Sequence, residues 1–84
     1  MYEQAIVQYR RYLAERRRQW TWQRQVIAGA MLARNEFSLE ELLTELVPHG
    51  MTRPGFFRVL SELLDAGIAA KARTGATCVI RIAR

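Results

Sequence analysis

Apolar residues recur every three or four positions over most of this chain, and every second position only near its end. From Tyr2 to about Trp20, Tyr2, Ile6, Tyr9, Leu13, Arg16 and Trp20 keep a 4-3-4-3-4 spacing without Gly or Pro. That is a heptad seam interrupted by Arg16, and it predicts a long helix. The seam either packs on its own domain or zips against a second copy, and Ile6, Tyr9 and Leu13 are the candidate dimerisation residues. Thr21 can cap a second helix running to about Arg34 with Val26, Ile27, Ala30 and Met31 buried. Whether the first helix runs straight into the second is open. Trp20 and Trp22 are read as packing residues at this junction.

Phe37-Ser38-Leu39-Glu40-Glu41-Leu42 carries two helix-start signals: Ser38 and Glu41 form a capping box, and Phe37 can staple onto Leu42. A helix from Leu39 to about Val47 follows, ended by Pro48-His49-Gly50. Thr52 can cap the next helix, Pro54 suits its first turn, and Gly67 can take the left-handed conformation that ends it. On that helix Phe56, Val59, Leu60, Leu63 and Leu64 share an apolar face. Pro54, Arg58, Ser61 and Asp65 lie opposite, and Glu62 and Asp65 are expected on the outer face.

Past Gly67 the period falls to two. Ile68 to Ala72 reads as a strand, Arg73-Thr74-Gly75-Ala76 as a turn, and Thr77 to Ile82 as a second strand with Cys78, Ile80 and Ile82 inward. Three helices and a hairpin in this order predict a mainly α fold with a C-terminal β-hairpin, a winged helix-turn-helix preceded by a long N-terminal helix. Residues 1–20 would be a basic amphipathic helix and residues 21–84 the winged helix domain.

Composition narrows the chemistry. With 84 residues, 50% of them hydrophobic, the chain has material for one modest core. One cysteine and one histidine, Cys78 and His49, are too few for a disulfide framework or a Cys/His zinc site. His49 is expected as an exposed turn residue and Cys78 as a small core residue. No paired carboxylates, phosphate loop or nucleophile–base set stands out, so neither an enzyme nor a cofactor or metal is expected. No stretch has the length of a membrane span or a signal-peptide core, which predicts a cytoplasmic protein that does not enter the membrane.

The net charge of +5 is unevenly spread. Residues 1–34 hold seven arginines against two glutamates, residues 35–67 hold six acids against two arginines, and residues 68–84 hold four basic groups and no acid. Basic ends that meet in space would form a footprint for a polyanion. The candidate phosphate and base contacts are Arg53, Phe57, Arg58 and Ser61 on the helix after Thr52, Lys71 and Arg73 on the hairpin, and Arg18 and Arg24 near the second helix. Arg58 is the candidate for a base edge, because its planar fork matches guanine O6 and N7.

From about Trp20 onward the residues resemble the DNA-binding domain of the ferric-uptake-regulator (Fur) family. Thr21-Trp22-Gln23-Arg24 is similar to that family's Thr-Pro-Gln-Arg, and Phe37 to Leu42 to its hydrophobic-Ser-Ala-Glu-Asp-Leu segment. Thr52 to Leu60, continuing to Ile68, resembles its Ser-x-Ala-Thr-Val-Tyr-Arg-x-Leu recognition helix. The family's DNA-contacting Tyr and Arg would fall on Phe57 and Arg58, and Gly55 stands where the family has Thr. Nothing resembles the family's metal-binding dimerisation domain.

The resemblance implies a small sequence-directed DNA-binding protein, a transcriptional regulator meeting double-stranded DNA through residues 52–66 and a wing at 68–82. The other possibility is an interaction module that docks a protein through its N-terminal helix or its acidic second core helix.

Overall fold

The computed structural model describes residues 2–75 and 77–83, with the backbone alone at Tyr2, Arg73, Thr74 and Thr77. Its elements are helices α1 (Tyr2–Glu15), α2 (Trp22–Leu32), α3 (Leu39–Leu46) and α4 (Arg53–Asp65), and strands β1 (Glu36–Ser38), β2 (Ala69–Thr74) and β3 (Thr77–Ile82). A short 3₁₀ turn, Val47–His49, joins α3 to α4. The fold is thus mainly helical with a hairpin near the C-terminus.

The starts of α2, α3 and α4 follow from their caps. The side chains of Thr21, Ser38 and Thr52 accept from the backbone N–H groups of Arg24, Glu41 and Gly55, three residues on in every case. The end of α4 is a Schellman motif: Ile68 N–H donates to Leu63 O at 3.0 Å and Gly67 N–H to Leu64 O at 3.2 Å, with Gly67 at φ 77°.

The same motif ends α1 early, which corrects the expectation of a helix to Trp20. Arg18 N–H donates to Leu13 O at 2.8 Å and Arg17 N–H to Ala14 O at 3.1 Å, while Arg17 itself sits at φ 57°. An arginine therefore occupies the position that glycine usually fills, and α1 and α2 are separate helices.

The hairpin is part of a three-stranded antiparallel sheet in the order β1-β3-β2. Phe37 pairs with Ile80 across β1 and β3, and Lys71 with Ile80 across β2 and β3. β1 is too short to show an alternating pattern, so only its pairing reveals it.

One cluster of buried side chains joins all these elements, with Tyr9, Leu13, Ile27, Met31, Phe56, Leu63 and Ile80 essentially inaccessible to solvent. Tyr9 and Leu13 are 0% and 1% exposed, and Ile6 is packed against the same core. The seam of α1 is therefore spent on its own domain rather than offered to a second copy. No core boundary falls at residue 20, since α1 supplies Tyr9, Tyr12 and Leu13 to the common interior.

Candidate nucleic-acid interface

α4 buries Phe56, Val59, Leu60 and Leu63 and leaves Arg53, Pro54, Phe57, Arg58, Ser61 and Asp65 exposed. Phe57 is 37% exposed, edge-on to Phe56, and the Arg53 guanidinium lies 5.9 Å from its ring centre. Among the described residues neither Arg53, Arg58 nor Lys71 has a carboxylate partner.

The two flanks of this exposed strip differ. Towards the hairpin, Phe57 and Ser61 line an apolar groove of about 220 Å³ together with Leu39, Leu60, Lys71 and the half-buried Cys78. Lys71 of β2 and the middle of α4 are thus brought together. Towards α2, Arg58 lines a cleft of about 280 Å³ with Trp22, Gln23, Arg24 and Gly55. The absence of a side chain at Gly55 has a local use, because a Cβ there would stand 3.0 Å from Gln23 Oε1.

Glu62 departs from expectation. It was expected on the outer face, yet it is 2% exposed and accepts four hydrogen bonds: from Tyr9 Oη at 2.6 Å, from Arg18 Nη1 at 2.9 Å, and from Arg24 Nε and Nη2 at 3.0 Å each. Arg24 grips it with both arms of its fork, while Arg24 Nη1 also donates to Gln19 O at 3.0 Å. Burial alone would raise the Glu62 pKa; the hydrogen bonds from Arg24, Tyr9 and Arg18 outweigh it and hold the carboxyl below its ordinary value. Burial, then the Glu62 contact, pushes the Tyr9 hydroxyl far up. The bond to Glu62 raises Arg24 as well.

Glu62 lies only about 60° around the helix from Val59, at the edge of the apolar face, and α1 extends the buried arc over it. The pattern of α4 by itself left that edge open.

Arg18 and Arg24, expected as phosphate contacts, are consequently engaged by the protein's own carboxylate and are not free ends of a cationic strip. Asp65 is also paired, accepting from Tyr12 Oη at 2.7 Å with Arg16 at 3.6 Å. Arg34 pairs with Glu45 and Arg81 with Glu36, each at 3.0 Å. The side chain of Arg73, the other expected wing contact, lies outside the described residues.

Of the two tryptophans, Trp20 packs as expected, edge-on to Tyr9 at 5.8 Å with Arg10 over its own ring at 5.3 Å. Trp22 does not: it is 63% exposed. His49 is an exposed turn residue as expected. Among the described residues no group of His, Cys, Asp or Glu could hold a metal ion, and no helix is long and apolar enough to cross a membrane. No protein-family model, curated protein or solved structure matches the chain.

Proposed function

We propose that this protein binds double-stranded DNA through the exposed strip of α4, with the β2–β3 hairpin as a wing alongside, and that it serves as a transcriptional regulator. The observation that carries this is the sorting of charge on α4. Its acids, Glu62 and Asp65, are engaged by partners from α1, the α1–α2 connection and α2, whereas among the described residues Arg53 and Arg58 stand exposed without a carboxylate partner.

Arg53 opens α4, where the helix dipole disfavours a cation. Such a residue costs stability and is readily explained by an anionic partner. In this arrangement Arg58 takes a base edge, Arg53 and Lys71 take phosphates, and Ser61 can donate its hydroxyl to a further phosphate oxygen. The resemblance of Thr52–Ile68 to the Fur recognition helix supports the same assignment for Arg58.

Binding to a random duplex, titrated with salt, tests the proposal. Affinity should fall steeply as salt rises, and Lys71→Ala should make the log–log slope shallower by about one unit. Absence of binding at low salt would reject it in favour of a protein-docking module.

A further inference from the structure

We propose that Trp22 is a DNA contact, and that the cleft between the start of α2 and α4 holds one sugar-phosphate unit of the duplex strand running beside α4. This step rests on the DNA-binding reading above. At 63% exposure Trp22 is the most exposed large apolar side chain among the described residues, and it stands outside the core cluster, whereas Trp20 packs against that core and Tyr9. The ring instead lines the cleft with Gln23, Arg24 and Arg58.

The charge around the cleft suits a phosphodiester. Two guanidiniums, Arg18 and Arg24, share the single carboxylate of Glu62, so this cluster keeps one unit of positive charge; Arg24 lines the cleft and Arg18 lies behind it, outside the lining. Arg58, whose fork is assigned to a base edge, lines the same cleft wall. The Arg18 side chain is still 46% exposed, so part of that surplus reaches solvent. An exposed indole beside a cationic junction matches the two halves of a backbone nucleotide, the flat apolar sugar and the charged phosphate.

The duplex is the occupant because of where the cleft lies. A helix seated in the major groove has a phosphate backbone on each side. The groove containing Lys71 flanks α4 on one side and the Trp22 cleft flanks it on the other. One strand meets the wing and the opposite strand meets α2.

Fluorescence anisotropy of a labelled random-sequence duplex against wild type, Trp22→Ala, Trp22→Phe and Lys71→Ala, at several salt concentrations, tests the assignment. Trp22→Ala is expected to weaken binding roughly three- to tenfold with an unchanged salt slope, because the lost contact is non-ionic. Trp22→Phe should recover most of that loss. Thermal melting of Trp22→Ala should match wild type, since the side chain is exposed.

Wild-type affinity in Trp22→Ala, together with a shallower slope in Lys71→Ala, would overturn the Trp22 assignment and leave the DNA-binding reading standing. No duplex binding by wild type would sink both. Tighter binding of single-stranded oligo(dT) than of duplex, lost in Trp22→Ala, would overturn the backbone assignment in favour of an unpaired base.

Discussion

Glu62 is the side chain whose chemistry reaches furthest through the molecule, because one carboxylate accepts from α1, from the α1–α2 connection and from α2 at once. Replacing one of its oxygens by an amide NH₂ would leave Arg24 without a counter-charge and set a donor against Arg24 Nη2 and Arg18 Nη1 in a nearly dry site. Glu62→Gln should therefore cost about 2–4 kcal/mol in urea unfolding, with most of the effect from Arg24, since Arg18 is partly solvated. The pH dependence follows from the sign of each shift. The Glu62 pKa is depressed by folding, so its contribution is complete above an ordinary carboxyl value near 4.5 and is lost as pH falls through the folded value. The Tyr9 pKa is raised, so its contribution is complete below about 10 and is lost as pH climbs beyond that. Glu62→Gln should flatten the acid limb of the stability profile. Arg17 offers the opposite kind of test. Its left-handed backbone at φ 57° carries a Cβ penalty that glycine lacks, so Arg17→Gly is expected to raise unfolding free energy by about 1 kcal/mol.

At the scale of elements, α4 was legible in advance at both ends. Thr52, Pro54 and Gly67 act on backbone groups within three or four residues of themselves, and local geometry suffices to predict them. Arg53→Glu should separate the two demands on this helix. An acid at its first position complements the dipole and should stabilise the fold by about 0.3–1 kcal/mol, while duplex binding at low salt drops. Melting temperature and anisotropy measured on the same preparation would check both halves. β1 was not legible, because three residues cannot display a period and its identity depends on β3, more than forty residues away. The end of α1 was misplaced for a related reason: Trp20 continues the heptad spacing, but the chain turns at Arg17 and brings Trp20 back against Tyr9.

For the whole molecule, the consequence is that α1 belongs to the core. A chain lacking residues 1–20 would expose the apolar surfaces that Tyr9, Tyr12 and Leu13 cover and strip Glu62 of two donors. It should lose cooperative unfolding, visible as a broad, sloping melt in near-ultraviolet circular dichroism. A sharp wild-type-like melt of that truncation would show that residues 21–84 fold by themselves. With Tyr9 and Leu13 committed to the interior, self-association through the α1 seam is no longer expected.

What the amino-acid order determined by itself was the set of helices, their caps, the hairpin and the candidate strip of Arg53, Phe57, Arg58, Ser61 and Lys71. All of these follow from side-chain periodicity and from hydrogen bonds that span a few residues. Only the tertiary structure decided which charges remain available. Glu62 draws its partners from 38, 44 and 53 positions away, and of the two tryptophans Trp20 packs against Tyr9 while Trp22 is left exposed. Burial and ion pairing are properties of what lies across a contact, and the residues across these contacts are distant in the chain.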